Sequence, residues 1–141
     1  DTMIRFVIVG VVVVIALLAN LWQRKRQVDA PTQGASEVPS QIDRSDFVRP
    51  DAPWIVLAFT SATCQTCSDI ERKVRVLETN SVAIQILEYT AERELHERYK
   101  IDAVPTVLMA DANGVVQANF LGPVSATDLW AALARARDSV V

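Results

Sequence analysis

Hydrophobic residues form one long run at the start of the chain and shorter runs after it. From Met3 to Trp22, only Arg5, Gly10 and Asn20 interrupt the apolar side chains. As a helix, this run approaches the ~30 Å thickness of a bilayer core, and its terminal tryptophan suits the membrane interface. It predicts a transmembrane anchor over residues 1–22. A cleaved signal peptide is the alternative, which the weakly charged start and the missing small-residue cleavage site disfavour.

The charges next to the apolar run predict an orientation. Arg24-Lys25-Arg26 follows the run directly, whereas only Arg5 lies near its start. Because lysine and arginine accumulate on the cytoplasmic side of a span, we expect a cytoplasmic domain, with an extracytoplasmic domain as the alternative. Residues 23–46 are interpreted as this basic patch and a flexible tether, since residues 28–40 are rich in proline and small polar residues.

The rest of the chain, residues 47–141, alternates strand and helix patterns. Short apolar runs predict strands over residues 54–59, 82–87, 106–109 and 115–120. Helical spacing of apolar residues predicts helices over residues 64–77, around residues 91–99 and after Ser125. Asn113-Gly114 lies between the last two strands and predicts a hairpin. This order predicts an α/β fold with a mixed central sheet and flanking helices on both faces.

Composition narrows the class of protein. The 141 residues are 50% hydrophobic and 22% charged, which excludes a wholly disordered chain. Two cysteines are too few for a disulfide-dense scaffold. Charges beyond residue 47 are mixed in sign, so we expect no nucleic-acid partner.

The two cysteines carry the clearest chemical signal. Cys64-Gln65-Thr66-Cys67 follows a predicted strand and opens a predicted helix. The positive end of the helix dipole is expected to lower the pKa of the Cys64 thiol, with Cys64 exposed and Cys67 buried on the apolar face. Such a pair suits thiol–disulfide exchange, in which an exposed thiolate attacks and a sheltered thiol resolves the mixed disulfide. Two inert structural cysteines are one alternative.

A metal site is the other alternative for the cysteines. Zinc usually takes four ligands, but the chain offers two cysteines and one histidine, His96, on a different predicted element. His96 is predicted to be a surface residue, because it lies among charged neighbours. We therefore expect no metal and no cofactor other than the redox-active Cys64–Cys67 disulfide.

A proline before the third predicted strand adds a second feature. Val104-Pro105-Thr106 stands where a proline cannot donate a hydrogen bond to the sheet. A cis Val104–Pro105 bond is one interpretation, since cis bonds are largely confined to proline. A trans proline that starts the strand is the other.

These landmarks together resemble the thioredoxin-like proteins. The resemblance runs from about Phe47 to Arg137 and rests on the strand, the Cys64-x-x-Cys67 pair, the Val104-Pro105-Thr106 segment, Asn113-Gly114 and the closing helix. It implies that Cys64 is the nucleophile and Cys67 the resolving thiol. It also implies that Val104, Pro105 (as a cis-proline) and Thr106 form a platform for protein substrates. With the predicted anchor, the chain resembles a membrane-tethered thiol–disulfide oxidoreductase.

The sequence departs from the family pattern at several positions. Thr63 stands in place of an aromatic residue, Gln65-Thr66 in place of Gly-Pro, and Arg72 in place of a helix-kinking proline. The buried acid that assists proton transfer in thioredoxin falls on Ala58. Loss of this acid is expected to slow resolution through Cys67. The alternative function is therefore a non-catalytic accessory or binding subunit that associates with integral membrane proteins.

Overall fold

The structure is a computed structural model that describes residues 1–26 and 38–139. The chain divides into two compact units, Asp1–Ala35 and Ser36–Val141, which are described separately. Most of the predicted tether, residues 28–37, lies outside the described residues. The side chains of the predicted basic patch, Arg24-Lys25-Arg26, lie outside them as well.

The first unit contains one long helix, α1, over Thr2–Arg26. Its apolar side chains as far as residue 22 are exposed. The segment Thr2–Trp22 has a mean hydropathy of 2.7, which makes it long and apolar enough to cross a membrane. A signal sequence near an N-terminus has the same length and composition.

The second unit contains the strands β1 (Trp54–Thr60), β2 (Val82–Glu88), β3 (Thr106–Asp111) and β4 (Val116–Leu121). They form one sheet in the order β2-β1-β3-β4. β1 pairs with β2 in parallel, and the pairs β1–β3 and β3–β4 are antiparallel. This confirms the predicted α/β fold with a mixed central sheet. The helices of this unit are α2 (Cys67–Arg75), α3 (Arg93–Arg98) and α4 (Ala126–Asp138).

The side chains of β1 divide the core into two layers. Every residue of β1 is buried, as its unbroken apolar run indicates. Val56 and Ala58 pack with α2 and α4 on one face of the sheet. Leu57 and Phe59 pack on the other face, where partly buried residues of and after α3 complete the layer. The alternation follows from the two-residue period of a strand.

Helix α2 is shorter than its pattern predicts. It begins at Cys67 rather than at Cys64, although the predicted apolar face of Cys67, Ile70, Val74 and Leu77 is buried. The helix after Ser125 forms as predicted, because the Ser125 hydroxyl accepts a hydrogen bond from the Asp128 amide at 3.1 Å.

The hairpin between β3 and β4 also forms where Asn113-Gly114 predicts it. Gly114 has a φ of 79°, a conformation that favours glycine. The Asp111 carboxylate holds the turn by accepting hydrogen bonds from the Asn113 and Val115 amides at 2.9 and 3.0 Å. The Gly114 carbonyl accepts the Ile42 amide at 2.8 Å, so the segment before β1 packs against this turn.

That segment corrects the predicted boundary at residue 47. The sequence pattern assigns Ile42 and Arg44 to the tether, yet both are buried in the second unit. The Arg44 guanidinium donates hydrogen bonds to the carbonyls of Ala52, Asp111 and Arg49 at 2.9, 2.9 and 3.1 Å. From sequence alone, an arginine is expected on the surface. Its burial is favourable here because tertiary packing brings three carbonyl acceptors to its guanidinium.

His96 is a second correction, because it is buried rather than on the surface. Its side chain is 1% exposed, and Nε2 lies 2.8 Å from the Leu87 carbonyl oxygen. The ring makes edge contacts with Phe59 and Tyr89. Leu95 and Tyr99, which the pattern predicts on the inward face, do pack against this layer. His96 follows Leu95 and is buried with them because the Leu87 carbonyl gives its ring a polar partner that the sequence pattern does not reveal.

Candidate functional site

The two cysteines form a disulfide at one end of the sheet. Their Cα atoms lie 5.4 Å apart, a normal separation for a disulfide. Cys67 is the first residue of α2 and is 1% exposed, whereas Cys64 is partly exposed. The pair therefore shows one accessible and one sheltered sulfur, an arrangement that suits sequential exchange.

Cys64 lies in the turn before α2, not in the first turn of the helix. Its amide donates to the Ser61 carbonyl at 3.1 Å, and its carbonyl accepts the Cys67 amide at 3.3 Å. Ala62 and Thr63 form the exposed part of this turn. Cys64 thus stays close to the positive end of the α2 dipole, which favours an anionic sulfur when the disulfide is reduced.

Thr66 contributes a hydroxyl next to the accessible sulfur. It occupies the N-cap position of α2, but its side chain makes no capping hydrogen bond. Thr66 Oγ1 lies 3.5 Å from Cys64 Sγ instead. A hydroxyl in this position can donate to the Cys64 thiolate, which stabilises the charged form.

The Val104-Pro105-Thr106 segment lies at the same end of the sheet. Thr106 begins β3 and pairs with Phe59 near the end of β1, just before the cysteine turn. The Val104–Pro105 peptide bond is cis. The Pro105 carbonyl accepts the Gly122 amide at 2.8 Å, so the backbone of this segment is partly used within the fold.

Only part of this segment is free to bind a ligand. Thr106 is 1% exposed, and its hydroxyl donates to the Ala103 carbonyl at 2.7 Å. Within residues 38–139, no backbone hydrogen bond involves the partly buried Val104. Of the three residues that the resemblance implicates, Val104 therefore has the backbone groups that an added strand could pair with.

The position at which the resemblance implies a buried acid is apolar in this chain. Ala58 is fully buried and belongs to the same cluster as Ile70 and Val74. In the part of the chain that the structure describes, no three His, Cys, Asp or Glu residues are grouped closely enough to hold a metal ion. His96 takes part neither in the cysteine pair nor in a metal site. It bonds to the Leu87 carbonyl and packs on Phe59, on the face of the sheet opposite Ala58.

Glu88 is a residue of the site that sequence reasoning missed. It ends β2 opposite Thr60, and its carboxylate accepts hydrogen bonds from the amides of Ala62, Thr90 and Ala91. These bonds, above all the one from Ala91, lower the pKa of Glu88, so its carboxylate is ionised at neutral pH. Its only sequence signal is an acidic residue at the end of an apolar run, which is common in surface loops.

Known proteins share both the fold and the arrangement of its elements. The family model of the thioredoxin-like domain matches residues 43–137. Deadhead, a germline-specific thioredoxin of Drosophila melanogaster, is 27% identical with a TM-score of 0.53, over 61% of this chain and 83% of that chain. No curated protein matches the sequence.

Two further thioredoxin structures show the fold alone. Thioredoxin-2, a component of the protein secretion machinery of the malaria parasite, is 22% identical with a TM-score of 0.53, over 59% of this chain and 82% of that chain. A mutant thioredoxin from Halobacterium salinarum is 22% identical with a TM-score of 0.50, over 57% of this chain and 71% of that chain. Because the family model covers most of the chain, the protein belongs to the thioredoxin-like domain family.

Proposed function

We propose that the protein is a membrane-tethered thiol–disulfide oxidoreductase that acts on protein substrates through Cys64 and Cys67. Proteins with a thioredoxin-like fold generally act on protein thiols, and this chain has a Cys-x-x-Cys pair within disulfide distance. The observation that carries the proposal is the contrast between the accessible Cys64 and the buried Cys67 in one disulfide.

The exchange starts from the dithiol form. The Cys64 thiolate attacks one sulfur of a substrate disulfide, which forms a mixed disulfide and releases one substrate thiolate that takes up a proton. Cys67, once deprotonated, attacks Cys64 Sγ, so the Cys64–Cys67 bond forms and the second substrate thiol leaves. Two electrons pass from the protein to the substrate, and a dithiol reductant restores the starting state.

Val104 is the proposed contact for the substrate backbone. It lies beside the buried Pro105, at the sheet end that carries the cysteine turn. Its unused amide and carbonyl support the pairing of an extended substrate segment, whose disulfide would then lie near Cys64. Pro105 and Thr106 support this role by fixing the loop rather than by direct pairing.

The direct test is reduction of insulin disulfides by the full-length protein in detergent, with dithiothreitol as electron donor. We expect wild-type protein to accelerate the reaction and Cys64→Ser to reduce the rate at least ~100-fold, since the thiol that remains, Cys67, is buried. Thermal unfolding of the variant serves as the control for folding. Equal rates for the two proteins would contradict the proposal.

The tether is proposed from the length and composition of α1. Thr2–Trp22 can cross a membrane, and residues 1–22 are the proposed anchor. We expect the protein to stay with membranes during alkaline carbonate extraction. A Val13→Asp, Leu17→Asp variant should be released, whereas Val13→Leu, Leu17→Val should be retained. Release of wild-type protein, or of a shortened product, would contradict an uncleaved anchor.

A cytoplasmic location of the second unit is proposed from Arg24-Lys25-Arg26. The exposed Ser40 gives a site to test it. In a variant with Cys64→Ser, Cys67→Ser and Ser40→Cys, we expect a membrane-impermeant maleimide to label the protein only after cell disruption. Labelling in intact cells would show an extracytoplasmic domain and a role in that compartment.

A non-catalytic subunit of a membrane complex is the second candidate. The apolar, fully buried Ala58 favours it, because no acid is present at that position to assist Cys67. This candidate predicts that integral membrane proteins co-purify with the Cys64→Ser, Cys67→Ser variant as well as with the wild type. Loss of every partner in that variant would contradict it.

A further inference from the structure

The carboxylate of Glu88 joins three loop amides at the end of the sheet. Oε1 accepts the Ala62 amide at 3.2 Å, and Oε2 accepts the amides of Thr90 and Ala91 at 2.9 and 3.1 Å. Ala62 belongs to the turn that carries Cys64, whereas Thr90 and Ala91 belong to the loop between β2 and α3. One side chain therefore connects the cysteine turn to a neighbouring loop.

Backbone hydrogen bonds restrain the same end of the sheet. The Tyr89 amide donates to the Thr60 carbonyl at 2.9 Å, which keeps the ends of β1 and β2 together. Within the turn from Ser61 to Cys64, the backbone makes one hydrogen bond to itself, from the Cys64 amide to the Ser61 carbonyl. The bond from Ala62 to Glu88 is what attaches the middle of this turn to the sheet.

The hydrogen bond from Ala62 places the Glu88 carboxylate next to the turn that carries Cys64. Ala62 precedes Cys64 by two residues, so their Cα atoms are separated by at most about 7 Å. The reaction proposed above creates a thiolate on Cys64. A nearby carboxylate charge opposes that thiolate and so favours the disulfide over the dithiol form.

We propose that Glu88 is a positioning residue for thiol–disulfide exchange, which fixes the Cys64 turn and shifts the Cys64–Cys67 equilibrium towards the disulfide. This inference rests on the proposed exchange function. Glu88 does not touch the reacting sulfurs; it acts through Ala62 and through its charge.

Asp111 offers a matched control. Its carboxylate also accepts two backbone amides in a turn, those of Asn113 and Val115. It pairs with Trp54 at the start of β1, whereas Glu88 pairs with Thr60 at the end of β1. Six residue steps along a strand amount to about 20 Å, so Asp111 is too distant to affect the cysteine turn directly.

The experiment measures two quantities in full-length wild-type protein, Glu88→Ala, Glu88→Gln and Asp111→Ala. The first is kcat/KM for insulin reduction, and the second is the equilibrium of Cys64–Cys67 with glutathione at pH 8. We expect Glu88→Ala to lower kcat/KM about tenfold, because the turn is no longer fixed. Glu88→Gln should lose less, since its amide oxygen can still accept one of the hydrogen bonds.

The equilibrium separates a positioning role from a merely stabilising one. Both Glu88 variants remove the charge, so each should shift the equilibrium about threefold towards the dithiol. Asp111→Ala should lower the melting temperature as Glu88→Ala does, yet leave both quantities unchanged. If the Glu88 variants lose stability but keep the wild-type kcat/KM and equilibrium, the inference is wrong and the proposed function stands.

The two proposals can also fail separately in the other direction. If wild-type protein does not reduce insulin, the proposed function fails on that substrate. The glutathione equilibrium does not depend on a protein substrate, so it still decides the role of Glu88. An unshifted equilibrium in a folded Glu88→Gln protein would then overturn the inference.

Discussion

The two ends of the central sheet use charged side chains in the same way but support different properties. At one end, Glu88 accepts hydrogen bonds from loop amides. The same end of the sheet carries Cys64 and Val104, which are both partly exposed. At the other end, Arg44 and Asp111 bind backbone groups and close the N-terminal segment over the hairpin. Under the proposed function, the first end serves the thiol–disulfide exchange, whereas the second mainly stabilises the fold.

Among these variants, replacement of Arg44 should lower the free energy of unfolding most. In Arg44→Met, the Ala52 carbonyl loses the donor of a buried hydrogen bond, whereas the carbonyls of Arg49 and Asp111 each keep a backbone amide as donor. We expect the free energy of unfolding to fall by about 3 kcal/mol. Chemical denaturation measures this loss, with the exposed Arg137→Met as control. A loss of insulin-reducing activity in the folded variant would contradict the division between the two ends.

Ionisation of Tyr99 should lower the stability of the Arg44 end of the sheet at high pH. Burial, together with the hydrogen bond that its hydroxyl donates to Asp46, raises the pKa of Tyr99 to about 12. An unfolded tyrosine titrates near pH 10, so the stabilisation is complete below about pH 10 and is lost as the pH rises towards 12. Urea unfolding should show a steeper decline in stability over this window for wild type than for Tyr99→Phe. Parallel curves would show that Tyr99 does not contribute.

Replacement of Thr66 should have the smallest effect, and this effect should be confined to the reactivity of Cys64. Thr66→Val removes the hydroxyl beside Cys64 Sγ but no capping hydrogen bond. We expect alkylation of reduced Cys64 by iodoacetamide at pH 7 to slow about threefold, with unchanged stability, because one weak hydrogen bond to the thiolate is lost. Thr63→Val is the control, since its hydroxyl pairs with Ser61 instead. Equal slowing in both variants would contradict a specific role for Thr66.

The sequence predicted the parts of the fold that depend on local patterns. The apolar run of β1 and the Asn113-Gly114 turn both have strong local signals, and the structure contains both elements. The burial of Arg44 and His96 was not predicted, because each depends on carbonyl groups that only the folded chain brings near. Local polarity suggests the surface for both residues.

In the candidate site, too, the sequence predicts the residues that have a local signal and not those that depend on tertiary contacts. Cys64 and Cys67 were found from their spacing, and the structure joins them in a disulfide. The sequence gives no distinctive signal for Glu88, because its hydrogen-bond partners lie in two different loops. One partner, Ala62, is 26 residues away from Glu88 in the sequence. The sequence pattern predicts the start of α2 three residues too early, because the turn at Ser61–Cys64 contains no glycine or proline to mark it.

The central claim is that Cys64, at the accessible end, attacks the substrate and that Cys67 completes the exchange. The most direct measurement is capture of a mixed disulfide with oxidised insulin by full-length Cys67→Ser and Cys64→Ser proteins, followed by peptide mapping. We predict that Cys67→Ser accumulates an insulin adduct on Cys64, because the resolving thiol is absent, and that Cys64→Ser accumulates little. Equal capture through Cys67, or no adduct in either variant, would contradict the account.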